Sequence, residues 1–130
     1  MYQGIRARDG RSWMGRVVNI ASQNAIQGIG GHVAYSAAKA GILGMSRGLA
    51  AEWGSHGVTV NCVSPTLVDT PMSRATWPDA ARAQVIERIP TRRLATFDDV
   101  TSTVLYLAGE GAGMVNGHNF VVDGGASVAF

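Results

Sequence analysis

Three short apolar runs along the chain predict β-strands. They cover residues 16–21 (RVVNIA), 58–64 (VTVNCVS) and 119–123 (NFVVD), and the last run ends at two glycines. Apolar residues are nearly continuous in each run rather than alternating with polar ones, which is typical of parallel strands covered on both faces. The runs therefore favour a buried parallel sheet with helices in the connections.

Helical periodicity fills the stretch between the first two predicted strands. Apolar residues recur there every three or four positions, and this spacing predicts a helix over 35–53 that ends near Gly54 and Gly57. The residues expected to form its buried stripe are Ala38, Ile42, Met45, Leu49 and Trp53.

A second helix is predicted after Thr96. Thr96 and Asp99 have the spacing of a capping box, and Val100, Val104 and Leu107 are expected to face the core until the helix ends at Gly109. Between the second strand and this helix, residues 71–90 look like an insertion on the substrate side, with one short helix beginning at Pro78.

The order strand, helix, strand, insertion, helix, strand predicts two consecutive right-handed crossover units of a doubly wound α/β sheet. We interpret residues 1–130 as one domain in which residues 1–14 are irregular. Three parallel strands are few for such a sheet, and the first strand has no visible neighbour on its open edge. The sequence therefore predicts part of a longer domain.

Composition fits one folded domain in a reducing compartment. The chain has 130 residues, of which 46% are hydrophobic and 15% charged, so it is not a disordered tail. Its single cysteine, Cys62, excludes an internal disulfide. No apolar stretch is long enough for a membrane span and the first residues lack a signal-peptide core, so we expect a cytoplasmic protein without a membrane partner.

The charge pattern gives little support for nucleic-acid binding but draws attention to one lysine. The net charge is +2, and only Arg6, Arg8 and Arg11 lie close together, as in a solvated terminus. Eleven residues are basic, and Lys39 is the one lysine among them. The three histidines share no metal-ligand spacing, so no metal site is expected.

Candidate proton-transfer chemistry lies in the segment from Tyr35 to Lys39. These two residues are one helical turn apart, and a nearby ammonium stabilises a phenolate. Ser22 is expected at the carboxyl end of the first strand, where open α/β sheets bind ligands. The alternative for the pair is an exposed tyrosine beside a solvated lysine.

Together these motifs resemble the short-chain dehydrogenase/reductase family. The resemblance runs from Gly15 to the end of the chain through GRVVNIAS, YSAAK, GVTVNCVSP with a following threonine, and NGHNFVVDGG. It implies the C-terminal part of a Rossmann-like doubly wound parallel sheet, with the N-terminal half and its glycine-rich dinucleotide turn missing. It also implies NAD or NADP as cofactor and a homo-oligomer.

The resemblance assigns a role to each candidate site residue. Tyr35 is the implied catalytic acid/base, and Ser22 positions the substrate carbonyl. Lys39 supports Tyr35 and holds the nicotinamide ribose. Residues 65–70 line the nicotinamide, with backbone groups of Val68 toward the carboxamide. The residues implied in cofactor binding are Tyr35, Lys39, Pro65, Thr66, Val68 and Thr70.

The segment after the second strand narrows the expected substrate. Pro65-Thr66 replaces the usual Pro-Gly of the family, and the residues that follow are similar to the polyol dehydrogenase and xylulose reductase branch. The implied reaction interconverts a secondary alcohol and a ketone on a small-molecule substrate. The alternatives are a 3-oxoacyl-carrier-protein reductase and a non-catalytic remnant that acts only in subunit association.

Two further motifs are expected to carry no chemistry of their own. The segment from Gly44 to Gly48 fits the GxSxG elbow of hydrolases, but its Ser46 lies inside the predicted helix rather than at a strand-to-helix turn. The cluster from Gly28 to Gly31 follows a loop and lacks the last glycine of a dinucleotide turn, so it predicts a flexible loop beside the substrate.

Overall fold

A computed structural model describes residues 15–129, and its core is a three-stranded parallel sheet. The strands are β1 (Gly15–Ile20), β2 (Val58–Pro65) and β3 (Asn119–Val122), with β2 in the centre. All three predicted strands are confirmed, with ends that differ by one residue. The implied parallel α/β sheet is confirmed as well.

Four helices connect and flank these strands. They are α1 (Val33–Trp53), α2 (Pro71–Thr76), α3 (Asp79–Arg88) and α4 (Phe97–Ala108). Short 3-10 turns lie at Gln23–Ala25, Gly54–His56 and Glu110–Ala112. The predicted capping box at α4 is present, since the Thr96 hydroxyl accepts from the Asp99 N–H while the Asp99 carboxylate accepts from the Thr96 N–H.

Helices cover both faces of the sheet. Cys62 packs with Leu43 of α1, whereas the next residue of β2, Val63, packs with Leu107 of α4. Because successive strand residues point to opposite faces, α1 and α4 lie on opposite sides of β2. This arrangement is the doubly wound architecture that the order of elements predicted.

The buried stripe predicted for α1 is wrong for the most part, although Ile42 packs against the core. The buried residues are Leu43, Ser46 and Ala50, whereas the exposed fraction of Met45 is 51%. These three residues are three or four positions apart and form the helix face that packs on the sheet. Because one of them is a serine, a search for apolar periodicity alone selected a neighbouring face of the helix.

The segment after β2 contains two helices rather than the one that was predicted. The additional helix, α2, begins at Pro71 and is capped by Thr70, whose hydroxyl accepts from the Ser73 N–H while the Ser73 hydroxyl accepts from the Thr70 N–H. Proline in the first turn and a threonine before it are a helix-start signal that the sequence contains. The predicted helix near Pro78 is confirmed as α3.

The outer edge of β1 has no strand partner within residues 15–129. The irregular N-terminus predicted for residues 1–14 lies outside the described residues. Over the described part of the chain, none of the helices is both long and apolar enough to cross a membrane.

Candidate active site

A cleft of about 1050 Å³ opens at the carboxyl ends of β1 and β2. Its walls are the loop after β1, the first turn of α1, the segment after β2, and helices α2 and α3. This is the edge at which open α/β sheets bind ligands. The sequence-predicted residues that line it are Ser22, Tyr35, Pro65, Thr66, Val68 and Thr70.

Ser22 reaches the cleft from the end of β1 and caps the 3-10 turn that follows. Its hydroxyl oxygen accepts a hydrogen bond of 3.2 Å from the backbone N–H of Asn24. A serine hydroxyl that accepts in this way still has its own proton to donate. Ser22 can therefore hold the oxygen of a bound carbonyl or alcohol.

Tyr35 and Lys39 lie one turn apart on α1, with Tyr35 in its first turn. The exposed fraction of Tyr35 is 46%, and the Lys39 ammonium lies 5.8 Å from the centroid of its ring. The same ammonium donates a 2.9 Å hydrogen bond to the carbonyl oxygen of Ile20, the last residue of β1. This bond holds a positive charge beside the phenol and leaves two more ammonium protons to donate.

Val68 lies at the cleft in a segment that is paired with Ala95. Val68 forms a parallel bridge with Ala95, in which the Asp69 N–H donates to the Ala95 carbonyl and the Ala95 N–H donates to the carbonyl of Leu67. In an extended segment, the N–H and C=O of Val68 itself then point away from Ala95. Val68 lines the cleft, so a donor and an acceptor stand side by side there, as a nicotinamide carboxamide requires. These groups fit the cofactor that the family implies.

Thr70 ends this segment and begins α2. Because its hydroxyl oxygen accepts from the N–H of Ser73, its hydroxyl proton stays available to a ligand in the cleft. Thr66, at the start of the segment, is tied to β3 by a 3.1 Å bond from its N–H to the carbonyl oxygen of Val122. The segment is therefore fixed to the sheet at the point where it enters the cleft.

Several polar residues that line the cleft were not identified from the sequence. They are Gln23, Asn24, Gln27, His32, Gln84 and Arg88. Gln23 and Gln27 are joined by a 2.6 Å side-chain hydrogen bond, and Gln27 also donates to the carbonyl oxygen of Ala126. For Gln23 and Gln27, the position after the first strand was the available signal, because residues that follow a parallel strand lie at its ligand-binding edge.

The two glycines after β3 are required by close packing against the segment after α3. Gly124 has a φ of +61°, and a Cβ on it would stand 2.1 Å from the hydroxyl oxygen of Thr91. The backbone N–H groups of Gly125 and Ser127 donate to the Asp123 carboxylate. Burial alone would raise the pKa of Asp123, but the hydrogen bonds from Ser127 and Gly125 outweigh burial and lower it. The ionised carboxylate thus holds the turn that brings Ala126 to the cleft.

Ser46 lies away from this chemistry. It is buried within α1, and its hydroxyl oxygen accepts from the Asn19 amide at 2.8 Å and from the Cys62 thiol at 3.0 Å. A serine inside a helix cannot form a nucleophile elbow, so the hydrolase motif is accidental. Asn61 is structural too, since its side chain bonds the Val115 carbonyl and the His118 N–H.

Known proteins resemble this chain over nearly its whole length. A family model described as enoyl-(acyl carrier protein) reductase matches residues 5–127. The D-threitol dehydrogenase of Mycolicibacterium smegmatis is 41% identical over 98% of this chain and 49% of its own length. The L-xylulose reductase of Caenorhabditis elegans is also 41% identical, over 90% of this chain and 47% of its own. The 3-oxoacyl-[acyl-carrier-protein] reductase of Pseudomonas aeruginosa is 41% identical as well, over 85% of this chain and 44% of its own length.

Solved structures agree with the sequence relatives. A gluconate 5-dehydrogenase from Burkholderia cenocepacia, solved in complex with NADP and tartrate, superposes with a TM-score of 0.84 at 26% identity. The match covers 89% of this chain and 46% of that one. The chain thus spans about half the length of the relatives that it matches. The agreement of motifs, fold and relatives shows that it belongs to the short-chain dehydrogenase/reductase family.

Proposed function

We propose that this chain supplies the catalytic half of an NAD(P)-dependent oxidoreductase that interconverts a secondary alcohol and a ketone. One observation supports this most: Ser22 and Tyr35 line the same cleft, and the Lys39 ammonium is held beside Tyr35 by the carbonyl of Ile20. A hydroxyl donor, a phenol and a fixed positive charge are what proton transfer to a carbonyl oxygen needs.

In this mechanism Ser22 and Tyr35 act on the reacting oxygen, and Lys39 acts on Tyr35. Ser22 donates a hydrogen bond to the substrate carbonyl and fixes its direction. Tyr35 gives its phenolic proton to that oxygen during reduction and takes it back during oxidation, while Lys39 stabilises the phenolate. The chemistry that a bound nicotinamide supplies is hydride donation or acceptance at the carbonyl carbon.

The cofactor is NAD or NADP, and residues of this chain would hold its nicotinamide end. The N–H and C=O of Val68 would pair with the carboxamide, and the two remaining ammonium protons of Lys39 would bind ribose hydroxyls. The hydroxyl of Thr70 would donate to the phosphate side. We also expect copies of the protein to associate, and the buried free thiol of Cys62 suits the reducing cytoplasm.

The polar lining of the cleft favours a polyol and its ketose as substrates. Side-chain amides donate and accept hydrogen bonds, as sugar hydroxyls do, and those of Gln23, Gln27 and Gln84 are among the residues that line the cleft. Two comparisons support this choice, since threitol and xylulose appear in the names of relatives.

A 3-oxoacyl-carrier-protein reductase is the second candidate. It is favoured by the name of the Pseudomonas aeruginosa relative and by the apolar side chains of Leu67, Met72 and Trp77 in the cleft. A chimera separates the two candidates: this chain would replace the matching half of the threitol dehydrogenase. Oxidation of NADPH or NADH by the chimera with ketoses supports the polyol reaction, and a preference for a 3-oxoacyl thioester contradicts it.

The non-catalytic alternative is tested with the same chimera. A remnant that only associates would leave no turnover with any carbonyl substrate, even when the chimera is folded and binds the dinucleotide. That result would contradict the proposed function as a whole.

A further inference from the structure

We propose that Asp69 is a positioning residue that latches helices α2 and α3 over the substrate end of the cleft. Its carboxylate receives two hydrogen bonds from Arg74 of α2, at 2.9 and 2.7 Å, and one of 2.5 Å from Arg82 of α3. One carboxylate thus joins the segment after β2 to two helices. The inference rests on the proposed function, because it assigns those helices to the substrate.

The backbone of Asp69 is itself hydrogen-bonded to the segment that precedes α4. Its backbone N–H donates a 2.8 Å hydrogen bond to the carbonyl oxygen of Ala95, and its neighbours Val68 and Thr70 both line the cleft. A side chain that starts from this point has little freedom to follow α2 and α3 if they move. The ion pairs therefore hold α2 and α3 to the segment paired with Ala95 rather than only to each other.

Within residues 15–129, the two helices bury few of their side chains. α3 buries none of its residues, and α2 buries only Ser73. The chain is anchored again just after α3, where Ile89 is 1% exposed. A segment with few buried apolar contacts separates from the rest of the domain at low free-energy cost. The charge-assisted bonds of Arg74 and Arg82 to Asp69 therefore determine how often α2 and α3 are packed over the cleft.

These helices also contribute a large share of the cleft wall. Met72, Ser73 and Thr76 line it from α2, and Ala81, Gln84, Val85 and Arg88 line it from α3. Ser22, in the loop after β1, and Tyr35, on α1, lie outside the latched segment. Opening of the latch should therefore weaken substrate binding more than it changes proton transfer.

The two arginines differ in a way that provides a matched control. The side chain of Arg82 is 15% exposed, whereas that of Arg74 is 62% exposed. Exposed ion pairs contribute little to stability because water and salt screen them, while a half-buried charge that loses its partner is costly. Arg82 is thus the main partner in the latch, although both arginines together lower the pKa of Asp69 well below its usual range.

Hydrogen–deuterium exchange on the intact chain tests the latch without any assay of activity. We expect Arg82→Met to raise amide exchange in residues 71–88 about tenfold while the amides of β2 keep their rates. Arg74→Met should raise exchange by less than about twofold. Arg82→Lys, which keeps a donor and the charge, should restore most of the protection.

Three outcomes would overturn the proposal. They are unchanged exchange in Arg82→Met, an equal increase in Arg74→Met, and an increase that is uniform over α2, α3 and β2. The last result would mean that Arg82 supports the fold as a whole.

Kinetics of the threitol dehydrogenase chimera add the readout that a purely structural role would not move. Arg82→Met should raise KM for the substrate about tenfold and leave kcat within about threefold, with recovery in Arg82→Lys. A fall in kcat with unchanged KM would overturn the positioning role. Absence of turnover in the unsubstituted chimera would contradict the proposed function, and the exchange rates alone would then decide whether the latch exists.

Discussion

Lys39 is tied to Ile20, nineteen residues earlier in the chain, by a 2.9 Å hydrogen bond from its ammonium to the backbone carbonyl. Ile20 is the last residue of β1, so the bond fixes the ammonium at the edge of the sheet where the cleft opens. The phenol ring of Tyr35 stands 5.8 Å from the same nitrogen. The relationship explains how a long, flexible side chain keeps its charge at one position.

Replacement of Lys39 by arginine tests the geometry of that charge. The guanidinium keeps the charge but is planar and bulky, so it cannot both reach the Ile20 carbonyl and present donors to a ribose in the same way. We expect Lys39→Arg in the chimera to lose at least about tenfold in kcat/KM. Near-normal turnover would remove Lys39 from the mechanism.

Ser22 and Ser46 form a matched pair of serine substitutions. Ser22→Ala removes the donor to the substrate oxygen and should lower kcat about a hundredfold while the chain stays folded. Ser46→Ala should leave kcat unchanged but lower the free energy of unfolding by about 1–3 kcal/mol, because the half-buried Asn19 amide loses its acceptor. Steady-state kinetics and urea unfolding of both variants measure these effects, and the reverse pattern would contradict the assigned site.

The sequence was sufficient to predict the strands, the long first helix and the capped last helix. Each of these depends on local signals, such as the β-branched run before Ser22 or the spacing of Thr96 and Asp99. The placement of Ser22 and Tyr35 on one cleft followed from the rule that strand ends meet at one edge.

The features that the sequence did not predict depend on contacts between distant residues. The buried face of α1 includes Ser46, which is buried because Asn19 and Cys62 bond to it. Likewise, the role of Asp69 depends on Arg82, which lies thirteen residues further along the chain, on α3. Hydrogen bonds between side chains that are distant in sequence leave no periodic pattern from which they could be predicted.

Asp99 is expected to make the stability of the domain depend on acid pH. The Arg93 guanidinium and the N–H and hydroxyl of Thr96 hold the pKa of Asp99 well below its usual range. Because the folded pKa is the lower one, its stabilisation is complete above the unfolded value near about 4 and is lost as the pH falls below it. Asp99→Asn should therefore destabilise the chain at pH 7 by more than at pH 3.

Thermal melts of the wild type and Asp99→Asn across that pH range measure the difference. Asp98→Asn is the control, because it removes a carboxylate from the same helical turn and leaves the Arg93 ion pair in place. A gap between wild type and Asp99→Asn that stays constant with pH would contradict this account.

The chain by itself is expected to bind a nicotinamide dinucleotide weakly and to self-associate. Residues 15–129 supply groups for the nicotinamide end only, and the outer edge of β1 has backbone groups that can pair with another chain. Calorimetry with NADP and light scattering test the two parts. Submicromolar binding would contradict the claim that the chain holds only the nicotinamide end of the cofactor. A monodisperse monomer with cooperative unfolding would contradict the claim that the outer edge of β1 pairs with another chain.

Tyr35→Phe in the threitol dehydrogenase chimera tests the central claim most directly. The change removes one hydroxyl oxygen, and the matched control is Tyr106→Phe, an exposed tyrosine on α4 outside the cleft. The rate of NADPH or NADH oxidation with a ketose is measured together with dinucleotide affinity. We expect Tyr35→Phe to lose at least about a thousandfold in kcat with little change in affinity, and Tyr106→Phe to match the wild type. Equal turnover in Tyr35→Phe and the wild type would contradict the assignment of Tyr35 as the proton donor.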